Sequence, residues 1–258
     1  EINGEPIRRG RRTYLIFGNL SDESSATTQM IKKDLGSANV ERAKRDLDYN
    51  TTVARDKWAK SQTIVYLFGN TGNELVNTIK QNFPAIAARI NASDLPAIDA
   101  SVYLGKENIK MIDEVRNTFG IYLKVPGDYF LAVNDGETIW MRKENEYLSS
   151  SIMIHKVPYK DTSQFTQKGI KAIRDKLGRK HVSSEEDASF MRTNDVDLPM
   201  LIETVDLNGN YAVEARGIWD IVNDYMGGPF ISYLILSPDN QELIFIDGFV
   251  HAPGKKKR

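Results

Sequence analysis

The stretch MLIETVDLNGNYAVEARGIWDIV, residues 200–222, decides the fold. Asn208-Gly209 is the strongest short hairpin signal a sequence offers, because both central residues of a type I′ turn need positive φ. Apolar residues alternate with polar ones on either side, so two antiparallel strands are predicted. With a two-residue loop the register follows by counting: Leu207 opposes Asn210, Val205 opposes Ala212 and Glu203 opposes Glu214. Downstream, Phe230 to Leu236 and Leu243 to Val250 are dense in Ile, Leu and Phe, and Asp239-Asn240 within SPDNQE supplies the turn between them. The last quarter of the chain therefore reads as a β-meander, with Met226-Gly227-Gly228-Pro229-Phe230 as a corner between two of its strands.

Working towards the N-terminus, helices enter the pattern. Tyr14 to Phe17 is a short strand ending in Gly18-Asn19, and Ser21, Asp22 and Glu23 offer an N-cap and an acidic first turn for a helix that closes at Gly36. The same grammar returns fifty-one residues later at Tyr66 to Asn70, followed by a helix bearing Leu75, Ile79, Phe83 and Ile86. Pro84 is expected to break or bend that helix, since proline lacks the backbone donor. Ile109, Ile112, Val115 and Phe119 mark an amphipathic helix stopped by Gly120. Ile121 to Pro126, Tyr129 to Val133, Thr138 to Arg142 and Ser151 to Val157 read as strands, and Thr166 caps a helix with core face Ile170, Ile173 and Leu177 that stops at Gly178. The resulting class is α+β: a mainly antiparallel sheet with helices packed on one face and a C-terminal β-meander. Residues 1–258 read as a single domain, or as two subdomains, with strand–helix units in 1–120 and mainly antiparallel sheet with one helix in 121–258.

Composition narrows the chemistry. The hydrophobic share of 41% and charged share of 27% suit an ordinary globular protein, and a net charge of −1 gives no field to draw in nucleic acid. The chain has no cysteine, which removes disulfides, thiolate nucleophiles and cysteine zinc sites. No apolar run approaches the ~20 residues of a membrane span. His155, His181 and His251 match no metal-ligand spacing, no serine sits in a GxSxG elbow, and so no metal site is expected. The loop Phe68 to Asn73 lacks the Gly-Lys-Ser/Thr ending of a phosphate loop and reads as turn chemistry, so no cofactor is expected either.

Two groups of residues stand out as candidates. Glu203 and Glu214 face each other across the counted register with Arg216 on the same strand face as Glu214, an arrangement that serves either as a solvated ion cluster or as a weak catalytic carboxylate pair. Binding candidates are Arg55, Asp56 and Trp58 in ARDKWAK, Trp219, and Gly227, Gly228, Pro229 and Phe230, because large aromatics anchor interfaces and consecutive glycines allow close backbone approach. The basic clusters Arg8, Arg9, Arg11, Arg12 and Lys255, Lys256, Lys257, Arg258 lie at the chain ends and read as solvated rather than as a nucleic-acid surface.

The segments ARDKWAKSQTIVYL (54–67), DLNGNYAVEARGIW (206–219), MGGPF (226–230) and GFVHAPGKKKR (248–258) together resemble the domain of unknown function 4837 family. That resemblance spreads from about Arg8 to the end. It implies an extracytoplasmic protein of Gram-negative bacteria, made with a lipoprotein signal and membrane-tethered, in the periplasm or at the outer membrane, by a lipid anchor outside this segment, in a family whose members carry a further N-terminal segment and a C-terminal helix. It carries over no catalytic residue. The combined expectation is a non-enzymatic binding or structural module of the envelope whose partner is an unknown envelope protein or ligand, with a hydrolase- or lyase-type enzyme built on Glu203, Glu214 and Arg216 as the alternative.

Overall fold

The computed structural model describes residues 12–253, so Arg8, Arg9, Arg11 and Lys255 to Arg258 lie outside the described residues. The chain separates into two compact units, Glu1–Ser101 and Val102–Arg258.

The first unit is built on a three-stranded sheet. β1 (Thr13–Asn19) runs parallel to β3 (Thr63–Gly69), and β2 (Thr51–Arg55) is antiparallel to β3 on its other side. The two similar strand ends are therefore neighbours, with Gly18 beside Phe68 and Asn19 beside Gly69. The first helix, α1 (Ala26–Leu35), starts later than Ser21 to Glu23 suggested. Asn19 and Asp22 fold their side chains onto the amides of Ser21 and Ser24, each at 3.1 Å, which holds this stretch in turns until Ser25 caps the amide of Thr28. Gly36, at φ +75, turns the chain directly into α2 (Ser37–Arg45), a polar helix that buries only Val40 and Ala43 and so leaves little apolar signal. After β3, α3 (Gly72–Val102) runs through both Pro84 and Pro96 without ending. Pro84 and Lys80, four residues earlier, both face solvent, where water satisfies the carbonyl that proline leaves free.

The second unit begins with α4 (Ile109–Phe119), capped by Asn108 on the amide of Met111 at 3.2 Å and closed by left-handed Gly120. Eight strands follow: β4 (Phe130–Asn134), β5 (Thr138–Asn145), β6 (Leu148–Pro158), β7 (Phe190–Asn194), β8 (Leu201–Leu207), β9 (Asn210–Val222), β10 (Gly227–Leu236) and β11 (Glu242–His251), with α5 (Gln167–His181) between β6 and β7. Their order is β4-β5-β6-β11-β10-β9-β7, every pairing is antiparallel, and β8 shares the outer edge of β9 with β7. The α+β class and the C-terminal meander are thus observed. Ile121 to Pro126 forms no strand beyond a single bridge to Glu107; Ile121, Leu123 and Val125 pack beneath α4 instead. Gly178 does not stop α5. It lies inside the helix because a Cβ there would come within 2.5 Å of the Met191 carbonyl, so glycine is what lets β7 lie against the helix.

Both faces of this sheet carry a helix, where one was expected. Along β9, β10 and β11 successive side chains alternate, and both sets are apolar. Val213, Leu234 and Phe245 join Ile170 and Leu177 of α5 in one core cluster. Ala212, Ile235 and Ile244 join Ile112 and Val115 of α4 in the other.

Candidate functional site

The meander register is the one counted from the sequence, with Glu203 beside Glu214 and Val205 beside Ala212. Continuing across the sheet on the α4 side, Leu201, Arg216, Ile231 and Gly248 form one row, and Ile218 and Pro229 form the next. These two rows extend beyond the residues that cluster with α4. Together with Leu198, Pro199 and Val250 they line an apolar groove of about 570 Å³. That volume is in the range of small-molecule sites. Leu198 and Leu201 on its wall are 50% and 69% exposed and belong to one contiguous apolar lining.

Gly248 explains why the groove is open. In the middle of a buried strand a glycine weakens packing and marks either a bend or a close approach. A Cβ at Gly248 would meet only Ile231, at 3.6 Å, an ordinary contact, and its φ lies outside the left-handed region. The fold therefore does not require this glycine, and a side chain there would project into the groove. The neighbouring glycines behave oppositely. At Gly228 a Cβ would sit 1.9 Å from the Val250 carbonyl, at Gly227 2.7 Å from the Trp219 carbonyl, and at Gly217 2.8 Å from the Phe230 ring. Gly227 and Gly228 are thus packing glycines at the start of β10, while Pro229 lines the groove and Phe230 spans groove and core.

Arg216 is the charged residue of the groove lining. Its Nε–H donates to Glu214, which also accepts the Tyr233 hydroxyl at 2.7 Å. Burial alone would push the Glu214 carboxyl up, but the hydrogen bonds from Arg216 and Tyr233 outweigh it and leave the group below the usual carboxylate range. The same partnership, added to burial, pushes the Tyr233 phenol up to about 12. Glu203 across the ladder is exposed, so water and the neighbouring Arg216 charge relieve the facing carboxylates. Among the described residues Arg216 makes no hydrogen bond through its two terminal guanidinium nitrogens.

The remaining candidates fall elsewhere. Trp219 is 3% exposed on the α5 side, edge-on to Phe249 with ring centroids 5.7 Å apart. Arg55, Asp56 and Trp58 belong to the first unit. Trp58 is half-buried and edge-on to Tyr14 at 5.3 Å, packed on that unit's core rather than standing free. Asp56, at φ +53, takes the Gln62 amide at 3.3 Å and shapes the β2–β3 connection, and Arg55 is exposed at the end of β2.

The reading from sequence passed over Leu198, Leu201 and Gly248, and also a buried ion pair on the opposite face. Arg174 of α5 and Asp247 of β11 meet at 3.2 Å with side chains 1% and 2% exposed. Ser232 donates to Asp247 at 2.7 Å, Arg174 reaches Thr193 at 3.3 Å, and its guanidinium lies 3.8 Å from the centre of the Phe230 ring. Phe230 thus separates this pair from the groove. The available signals were a glycine and an acid side by side within an otherwise apolar strand, and an arginine four residues after Ile170 on the buried stripe of α5. Among the described residues no group of three or more His, Asp or Glu side chains is placed to hold a metal ion, and no helix is long and apolar enough to cross a membrane.

Residues 108–258 match the family described as Domain of unknown function (DUF4837), more than half of the chain, and the chain belongs to that family. The match coincides with the second unit and leaves the segment 54–67 outside it. No curated protein matches the sequence.

Proposed function

We propose that the protein is a non-catalytic, extracytoplasmic, membrane-tethered module that binds an amphiphile, an apolar chain with an acidic head group, in the groove of its second unit. The observation that carries this reading is the groove's composition. Its walls are Leu198, Pro199, Leu201, Ile231 and Val250, its floor is bared by Gly248, and Arg216 offers a guanidinium with uncommitted donors at the wall. An apolar channel favours a chain through burial at roughly 25 cal/mol per Å². A planar fork of N–H donors suits a carboxylate or phosphate oxygen pair. Glu214 supports binding over acid–base chemistry, because a carboxyl held low by Arg216 and Tyr233 is a poor proton donor at neutral pH. The location is supported by the family resemblance and is compatible with a cysteine-free chain.

Titration of the protein with dansyl-undecanoate tests the groove. Saturable fluorescence enhancement is expected, with affinity falling about tenfold in Arg216→Gln, the share of one charge-assisted hydrogen bond. Non-saturable enhancement, or an unchanged affinity in that variant, contradicts the reading. Separation of the native cells into membrane and soluble fractions, with protease access to the protein in spheroplasts, tests the location, and recovery with soluble cytoplasmic markers overturns it.

A further inference from the structure

The α5 side of the large sheet holds a separate cavity of about 60 Å³, well above the ~10–15 Å³ that one water needs. Trp140 and Arg142 of β5, Ser149 and Ser151 of β6, Trp219 of β9 and His251 of β11 line it. Three of these side chains carry buried N–H groups that find no acceptor among the described residues: Trp140 Nε1, Arg142 Nε and Trp219 Nε1. Native proteins pair nearly all buried donors, so three orphans around one small cavity call for an acceptor. The lining contains no carboxylate. Arg142 gives its Nη2 to Glu144, whose carboxylate also accepts the Ser149 hydroxyl at 3.4 Å, while Arg142 Nε keeps no acceptor, and His251 donates Nδ1–H to the Gly227 carbonyl at 3.0 Å.

The chemistry of this lining selects its ligand. Indole and guanidinium N–H groups only donate, and three of them exceed the two lone pairs with which a single water accepts. A carboxylate accepts at about four lone-pair positions and donates nothing, matching the three N–H groups and the hydroxyl of Ser151. The negative charge of the carboxylate strengthens each such bond. We propose that this cavity binds the carboxylate of a small organic acid, independently of the groove on the other face.

Two of the chain's three tryptophans line the cavity and the third, Trp58, lies in the other unit, which gives an internal control. The test follows the three indole N–H resonances in ¹H–¹⁵N spectra of the ¹⁵N-labelled protein during titration with sodium acetate, with sodium chloride at equal ionic strength as the second arm. Single Trp→Phe variants assign the peaks. Saturable shifts of the Trp140 and Trp219 indoles with acetate, a stationary Trp58 indole and at least tenfold weaker binding in Arg142→Gln are expected. Gly248→Leu is expected to leave this titration unchanged, which separates it from the groove. Absence of a saturable shift, an equal response to chloride, or movement of all three indoles together overturns the proposal. The wild-type titration decides by itself if Arg142→Gln does not fold.

Discussion

Two arginine–carboxylate pairs occupy the large sheet, one on each face, and they have opposite physical characters. Arg174 and Asp247 lie 73 residues apart and are sealed beneath α5. Arg216 and Glu214 are two residues apart on one strand, with the arginine side chain 62% exposed. For the buried pair, desolvation of both charges is repaid only through its additional partners Ser232 and Thr193, so its removal in halves is costly. In the second pair only the arginine is open to water, Glu214 being 12% exposed and held also by Tyr233, so the guanidinium charge is screened and the pair contributes less to folding. The comparison sets a charge held by packing on the α5 face against one whose guanidinium stays open to solvent on the groove face.

The sharpest way to break that contrast is to remove one buried partner. Arg174→Met is expected to cost about 3–5 kcal/mol by urea denaturation, because Asp247 is left charged and unpaired, while Arg174→Met combined with Asp247→Leu regains most of the loss. A double variant no more stable than the single one would mean that packing, not charge, governs the site. Glycine substitutions sharpen the contrast between the faces. Gly228→Ala is expected to cost about 1–3 kcal/mol as its Cβ meets the Val250 carbonyl, and Gly248→Ala to stay within about 0.5 kcal/mol. Equal costs would show that the groove floor is structural after all.

Acid provides a third probe. Burial lowers both His155 and His181, so between their folded values and about 6.5 the unfolded chain holds more protons. Stability is therefore complete above pH ~6.5 and declines as pH falls through that window. Tm is expected to drop between about pH 7.5 and 5.5, and the combined His155→Gln, His181→Gln variant to flatten the drop; an identical slope in the variant refutes the assignment. The smallest effect belongs to the groove face. Glu203→Gln is expected to leave stability within about 0.5 kcal/mol, as for other exposed charges, and a larger loss in denaturant unfolding would reveal coupling to Glu214.

Much of this unit was legible in the sequence because the informative interactions are local. Asn208 and Gly209 both have positive φ, and counting from them placed Glu203 opposite Glu214 and Arg216 beside it. What stayed hidden depends on neighbours distant in sequence. Whether a glycine is forced by packing, as Gly228 is, or left bare, as Gly248 is, rests on what faces it across the ladder. Likewise spacing puts Arg174 on the buried stripe of α5, but its partner Asp247 lies 73 residues away on β11. In the first unit α2 went unnoticed for want of an apolar stripe, and Pro84 misled because its helix lets solvent take up the lost hydrogen bond.

The groove is tested most directly by filling it. Gly248→Leu places a side chain over its floor beside Ile231, and the measurement is dansyl-undecanoate affinity alongside Tm. The account expects a folded protein with Tm close to wild type and binding lost. Unchanged affinity in a folded Gly248→Leu variant would contradict it.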